Sequence, residues 1–180
     1  MTAPTLETPR LILRPWRDAD IEPWFAMNAD PRVMEFFPTT YTREEAERTA
    51  GLMREYLERD GYGWWVLERK ADASFAGVIA LQDVPFTATF TPATEVGWRL
   101  ANAYWGNGYA TEGARAALDF AFHERKLDEI VAMTATLNTP SQRVMQRLGM
   151  THDPRDDFDH PRIDPGHRLN RHVLYRVHAE

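Results

Sequence analysis

Alternating hydrophobic and polar positions predict six β-strands in this chain. The alternating runs fall at residues 10–14, 63–69, 75–83, 94–100, 130–137 and 171–177. The run at 130–137 is mostly apolar, which is typical of a strand buried on both faces and parallel to its neighbour. A 3.6-residue period predicts helices over about 19–28, 42–60, 108–124 and 139–148. Two strands joined by the helix at 108–124 form a right-handed βαβ unit, and the pattern as a whole predicts an α/β fold.

Capping residues mark where these helices begin. Asp18 is the predicted N-cap of the first helix. Thr42 with Glu45, and Thr139 with Gln142, have the spacing of a capping box. We therefore expect Thr42 and Thr139 to be the N-caps of the second and fourth helices.

The stretch TEVGWRLANAYWGNGYAT, residues 94–111, reads as a strand, a turn with two glycines and the start of a helix. Backbone N–H groups before the first helical turn have no intrahelical partner, and the helix dipole adds partial positive charge there. Gly106 and Gly108 remove side chains that would keep a phosphate away. No Lys or Arg lies between Arg99 and Arg115, so the backbone would hold such an anion. The alternative is an ordinary strand–helix turn, and the glycines alone favour that alternative.

Composition narrows the class of protein. With 180 residues, 43% of them hydrophobic, the chain is expected to form one domain, residues 1–180. A net charge of −6 without long basic runs argues against a nucleic-acid surface. The absence of cysteine excludes a disulfide, a thiolate metal site and a cysteine nucleophile. We find no apolar run long enough to span a bilayer and no secretory signal pattern, so we expect a cytoplasmic protein without a membrane partner.

Three segments resemble parts of one enzyme family. YWGNGYATEGARAALDFAF resembles the acetyl-CoA loop of the Gcn5-related N-acetyltransferase (GNAT) family, most closely its ribosomal-protein alanine acetyltransferase-like (RimJ/RimL-type) branch, although Ala103 replaces the usual Gln or Arg. NTPSQRVMQRLGM resembles the family's second motif, beginning 32 residues after Gly106 at Asn138. RLILRPW resembles the opening strand of that branch. Together the resemblances cover nearly the whole chain.

The resemblance implies a specific fold. It is α/β, with a mixed, twisted, mostly antiparallel sheet of about seven strands and helices on both faces. A splayed parallel strand pair forms an acyl-CoA cleft. In this chain the cleft would lie between the strands that end near Leu100 and Leu137.

The resemblance also implies which residues bind acetyl-CoA, the expected co-substrate. Backbone N–H groups of the glycine loop would hold the pyrophosphate, and the backbone of the preceding strand would pair with the pantetheine arm. The implied cofactor-binding residues are Trp98, Arg99, Leu100, Gly106, Asn107, Gly108, Tyr109, Ala110, Thr111, Asn138, Ser141 and Arg147.

Three residues are the catalytic candidates. By the family pattern, Asn138 would hydrogen-bond the pantetheine arm or a water near the amine, and Ser141 would protonate the leaving thiolate. Helix capping is the alternative for both, but a Thr139 capping box would leave them free. Glu95 is the candidate base, and its alternative is an exposed strand carboxylate paired with Arg99.

The expected function is N-acetyl transfer from acetyl-CoA to a primary amine in a ternary complex. The amine belongs either to a protein N-terminus or to a small molecule, and the sequence does not choose. The alternative is a non-catalytic acyl-CoA-binding regulatory or interaction module. We expect no metal, since the spacing of Asp156, Asp157, Asp159 and His160 fits neither an EF-hand nor a zinc site. The irregular loops 84–94 and 153–169 are candidates for mobile or interface elements, and homodimerisation through them is a hypothesis.

Overall fold

The computed structural model describes residues 3–179, and Met1, Thr2 and Glu180 of the predicted domain lie outside the described residues. Nine strands and four α-helices form within this range. The strands are β1 (Leu6–Glu7), β2 (Leu11–Arg14), β3 (Trp64–Arg69), β4 (Ser74–Asp83), β5 (Thr94–Leu100), β6 (Glu129–Ala135), β7 (Thr151–His152), β8 (Phe158–Asp159) and β9 (Arg171–His178). The helices are α1 (Ile21–Ala29), α2 (Arg43–Asp60), α3 (Tyr109–His123) and α4 (Thr139–Arg147).

The strands form one mixed sheet in the order β1-β2-β3-β4-β5-β6-β9-β7, and β8 also pairs with β9. Every pairing is antiparallel except β5 with β6. The six predicted strands and the predicted mixed architecture are confirmed. β1, β7 and β8 were not predicted, because two residues are too short to show a periodic pattern.

Helices cover both faces of the sheet, as predicted. On one face, Gly113 of α3 lies against Leu67 and Ile79 so closely that an added Cβ would come within 2.9 Å of the Ile79 side chain. We call this side the α3 face; it carries Trp65, Ile79, Trp98, Thr134 and Tyr175. On the other face Arg99 reaches Asn28 of α1. We call this side the α1 face; strand register places on it Gln82, Glu95, Gly97, Arg99, Ala135 and His172.

The predicted N-cap is correct for the second helix and wrong for the first. The capping box of α2 is confirmed, since Thr42 Oγ1 accepts from Glu45 N at 3.2 Å and Glu45 accepts from Thr42 N at 2.8 Å. Asp18 is not the N-cap of α1. It begins a 3₁₀ turn, Asp18–Asp20, and α1 follows at Ile21. The described helices include none that is long and apolar enough to cross a membrane.

Candidate active site

A cleft opens in the middle of the sheet, where β5 and β6 diverge. Within the described chain, the two strands pair in register only at Glu95 and Val131. β5 remains paired with β4 as far as Leu100, and β6 remains paired with β9 as far as Ala135. The edge of β5 that carries Trp98 and Arg99 therefore faces the cleft without a strand partner. The Leu100 carbonyl is engaged, because it accepts from Trp105 Nε1 at 2.9 Å.

The predicted glycine loop lies at the start of α3. Gly106 and Gly108 have φ of +76° and +79°, a left-handed conformation that glycine adopts without strain. Gly108 occupies the N-cap position, so no side chain caps the helix. The first N–H groups of α3, from Tyr109 to Thr111, consequently have no intrahelical acceptor. Asn107 holds the loop in shape by donating to the carbonyls of Tyr104 and Trp105.

An ion pair that the sequence did not reveal holds this loop against β2. Arg10 donates to the Asn107 carbonyl at 3.0 Å and pairs with Glu112 of α3 at 2.6 Å. Glu112 also accepts from Thr8 Oγ1 at 2.6 Å. Because Glu112 balances the nearby Arg10 charge, the backbone N–H groups remain the main attraction for an anion. The RLILRPW motif contained Arg10, but only the fold brings it close to residue 107.

The start of α4 corrects the predicted cap. Asn138, not Thr139, is the N-cap, and its Oδ1 accepts from Ser141 N at 3.2 Å. Asn138 Nδ2 donates to Thr134 Oγ1 at 2.8 Å and to Ser141 Oγ at 3.1 Å. Gln142 instead donates to the Thr136 carbonyl, because Asn138 already satisfies the first turn. A Thr139 capping box would have left both Asn138 and Ser141 free of capping contacts. That expectation is wrong, because Asn138 is itself the cap.

Arg147, the last of the implied cofactor residues, lies exposed in the final turn of α4. Its carbonyl accepts from Arg115 Nη2 of α3 at 2.8 Å. This contact joins the two helices that flank the cleft on the α3 face.

Glu95 lies on the opposite, α1 face. Its Oε1 accepts from Gln82 Nε2 at 2.7 Å, and Gln82 Oε1 accepts from Trp64 Nε1 at 2.6 Å. Since an indole N–H only donates, this chain fixes the orientation of the Gln82 amide. Burial raises the pKa of Glu95, while Gln82 and the charge of Arg162 oppose the rise. The expected alternative, an ion pair with Arg99, is wrong, because Arg99 points to α1.

The two undecided loops pack against each other on the α1 face. Phe86 and Phe90 have ring centroids 6.2 and 5.0 Å from that of Phe158. His160 lies 4.7 Å from Phe86 and 4.8 Å from His172 of β9. We call these five rings the aromatic cluster. The phenylalanines of these two irregular loops are therefore half-buried within the chain.

Burial favours the neutral form of both histidines of the aromatic cluster. It lowers the pKa of His160 to about 4, with the neighbouring His172 and Arg162 contributing, and it also lowers the pKa of His172. His172 Nδ1 lies 3.1 Å from the Asn170 carbonyl, and it donates there in the neutral tautomer that carries its hydrogen on Nδ1. In that tautomer Nε2 is an acceptor. No local sequence pattern brings His172 beside His160, because the contact joins a loop to β9.

The acidic tail forms separate pairs. Asp156 binds Arg176, Asp157 binds His152 and Asp159 binds Arg171. Among residues 3–179 we find no group of three His, Cys, Asp or Glu side chains arranged to hold a metal ion.

Comparisons with known proteins identify the family of this architecture. Residues 10–151 match the model of the acetyltransferase (GNAT) domain. The chain is 37% identical over 156 residues to the FsC-acetyl coenzyme A-N(2)-transacetylase of Aspergillus fumigatus, a match that spans 83% of this chain and 66% of that protein.

Solved structures share the fold over nearly the whole chain. An acetyltransferase from Agrobacterium tumefaciens matches with a TM-score of 0.79 and 27% identity, covering 99% of this chain and 96% of that one. The ribosomal-protein-S5-alanine acetyltransferase of Vibrio fischeri matches with a TM-score of 0.75 at 17% identity, covering 97% and 96%. The predicted fold and family are confirmed, and this chain belongs to the GNAT family as an acetyl-CoA-dependent N-acetyltransferase.

Proposed function

We propose that this enzyme acetylates the primary amine of a small molecule, by direct attack of the amine within a ternary complex. The observation that carries the proposal is the arrangement around the splayed strands β5 and β6. A helix N-terminus with free N–H groups lies on the α3 face of the cleft, and a desolvated carboxylate, Glu95, lies on the α1 face. Cofactor and acceptor would therefore reach the cleft from opposite sides of the sheet.

The residues of the glycine loop fit the phosphates of acetyl-CoA. Thr111 Oγ1 is buried beside the free N–H groups and has no hydrogen-bond partner among the described residues. A Cβ added at Gly106 would meet no atom within 4 Å, so the loop is open on that side. Three N–H groups, an unpaired hydroxyl and the positive end of α3 together favour a pyrophosphate. Bound acetyl-CoA supplies the thioester that the amine attacks.

Glu95 is suited to remove the proton of the amine. Gln82 holds one carboxylate oxygen, which leaves the other oxygen to accept a proton directly or through a water. A carboxylate with a raised pKa is a stronger base than an exposed one, because desolvation destabilises its charged form.

Ser141 is suited to protonate the leaving thiolate. Its Oγ accepts from Asn138 Nδ2, so its own hydrogen remains available for donation. Asn138 acts through Ser141 in this scheme and is a positioning residue. The capping role and the functional role of Asn138 are therefore compatible.

A small-molecule acceptor is favoured over a protein N-terminus. The Aspergillus relative, whose name specifies an N(2)-transacetylase, is 37% identical to this chain, whereas the ribosomal-protein enzyme shares 17% identity and hence only its fold. The aromatic cluster also joins loops 84–94 and 153–169 on the α1 face, and Arg162 of the second loop acts on the Glu95 carboxylate. Loops held together there would leave less room for a large acceptor.

Thermal unfolding with acetyl-CoA, ATP and NAD tests the proposed binding of acetyl-CoA at the glycine loop. At one hundred times its dissociation constant, acetyl-CoA should add about 2.7 kcal/mol of stability, or roughly 5–10 °C in midpoint. ATP and NAD should shift the midpoint less. The absence of a shift with acetyl-CoA would refute the assigned loop.

Steady-state kinetics of variants tests the proposed role of Glu95 and the proposed class of acceptor. Glu95→Gln should lower kcat by about 10²–10⁴-fold, the usual contribution of general base catalysis. Asp83→Asn, an exposed carboxylate near the same end of β4, serves as the control and should keep full activity. The acceptors to compare are small amines and N-terminal peptides. Preference for the peptides would contradict the small-molecule assignment, and acetyl-CoA binding without turnover of any amine would favour a binding module.

A further inference from the structure

Two arginines are buried on the α1 face, and they differ in their partners. Arg14, 6% exposed, donates to both carboxylate oxygens of Asp20 at 2.8 Å and to Glu68 at 2.6 Å. Arg99, 8% exposed, forms no ion pair with any Asp or Glu in the part of the chain that the structure describes. One buried guanidinium is thus neutralised by the protein, and the other is not.

The surroundings of Arg99 support a cation without balancing its charge. Its guanidinium carbon lies 4.0 Å from the centroid of the Phe37 ring and 5.4 Å from that of Trp24. Nη1 donates to Asn28 Oδ1, and the hydroxyl of Tyr41 lies near. Nε is buried and has no acceptor within residues 3–179. Burial lowers the pKa of Arg99, but a guanidinium stays protonated in proteins.

An unbalanced buried charge destabilises the folded protein, and a bound anion would relieve that cost. Acetyl-CoA does not provide the missing anion in the proposed arrangement, because its phosphates bind at α3 on the other face. The acceptor approaches on the α1 face, where Arg99 lies. Gly97, between Glu95 and Arg99 on that face, carries no side chain, and a Cβ there would make only an ordinary 3.7 Å contact with Ala80. On that face, no side chain therefore projects from the strand between Glu95, the candidate base, and Arg99.

We propose that Arg99 binds a carboxylate of the acceptor, so that the acceptor is a small amino-carboxylate such as an amino acid. This inference rests on the proposed function, since it places the acceptor on the α1 face. A carboxylate would accept a charge-assisted hydrogen bond from the unpaired Nε–H and would balance the charge of the guanidinium. Glu95 would then act on the amine of the same molecule.

The test compares acceptors that share a remote amine and differ in whether a carboxylate or an amide stands at the other end. L-lysine and L-lysinamide form one pair, and 6-aminohexanoate and 6-aminohexanamide form another. Wild-type enzyme should show a kcat/KM at least about tenfold higher for the acid than for the amide, as expected of one charged contact. In Arg99→Met that ratio should fall to about one, because only the acid loses a charged contact. Arg32→Gln removes an exposed charge that pairs with Asp30 after α1, and it should keep the wild-type ratio.

A second measurement separates this role from a structural one. Because Arg99→Met removes an unbalanced charge, its unfolding midpoint should equal or exceed that of the wild type. A clearly lower midpoint would overturn the proposal, as would a wild-type enzyme that favours the amides or treats both acceptors alike. If neither acceptor turns over, thermal stabilisation of the CoA-bound protein by lysine against lysinamide gives the same comparison. Failure of acetyl-CoA to stabilise wild type would refute the proposed function itself, whereas normal acetyl-CoA binding without acid preference would refute only the role of Arg99.

Discussion

At the scale of single residues, the environment of Glu95 sets it apart from the other carboxylates near the cleft. Glu112, Asp156 and Asp159 each have an arginine partner. Glu95 has a neutral amide partner and is desolvated, so its uncharged form is favoured. Among these four carboxylates it is the one that accepts from a neutral amide and has no arginine hydrogen-bonded to it.

This environment predicts a pH dependence of stability that Glu95→Gln removes. The folded pKa of Glu95 lies above its unfolded value, so between the two values the folded state binds more protons than the unfolded state. The free energy of unfolding should therefore fall as the pH rises from about 4.5 through the raised pKa. Denaturant unfolding of the wild type and Glu95→Gln across this range should show the variant gaining relative stability with pH and then levelling off. A difference that stays constant with pH would contradict a raised pKa.

At the scale of secondary-structure elements, α4 shows how one residue can serve both the helix and the site. Asn138 caps the helix through Oδ1, and it orients Ser141 through Nδ2. The two functions use different atoms of one amide. Substitutions that keep one atom and remove the other can therefore separate them.

Asn138→Asp keeps the capping oxygen and removes the donor to Ser141. We expect its stability to stay near that of the wild type and its kcat to fall, because the new oxygen would draw the Ser141 hydrogen away from the thiolate. Asn138→Ala should lose the cap as well, at a cost of about 1 kcal/mol. Calorimetry and steady-state kinetics measure the two effects. Equal kcat values for Asn138→Asp and wild type would show that Asn138 acts only as a cap.

At the scale of the whole molecule, the sheet separates two binding regions. The glycine loop, α3 and α4 lie on one side, and the aromatic cluster, Glu95 and Arg99 lie on the other. β6 lies between them, paired with β9 and splayed from β5. Disturbing one side should therefore affect one ligand more than the other.

Phe158→Ala tests this separation. The ring lies within 6.3 Å of four other rings of the aromatic cluster, so its loss should release the two loops from each other. Because Phe158 is half-buried, we expect a loss of about 2 kcal/mol, less than for a fully buried ring. The KM for the acceptor should rise while the dissociation constant of acetyl-CoA stays constant. Phe158→Leu should show smaller effects, and parallel weakening of both ligands would contradict the separation.

Homodimerisation stays a prediction, and the structure weakens the argument for it. It relied on the apolar character of loops 84–94 and 153–169. The structure uses their phenylalanines to join the loops within one chain. A mass that rises with concentration in sedimentation equilibrium would still support a dimer.

The sequence by itself determined the elements and the family, because both are written in local patterns. Alternation gave the six long strands, the 3.6-residue period gave the helices, and two motifs at fixed separation gave the acetyltransferase family. The glycine loop could be located for the same reason, since positive φ and free N–H groups are properties of adjacent residues.

Tertiary structure alone decided what depends on residues far apart in the chain. Arg10 reaches Asn107 across 97 positions, and Arg99 reaches Asn28 across 71. Whether Arg99 has an acidic partner, or His160 lies against His172, follows from packing, which local periodicity does not encode. The cap of α4 was misjudged because Asn138 and Thr139 both have suitable side chains, and only the backbone path from β6 selects between them. Motifs formed by adjacent residues could thus be recognised in the sequence. Which charged groups pair with one another could be decided only from the tertiary structure.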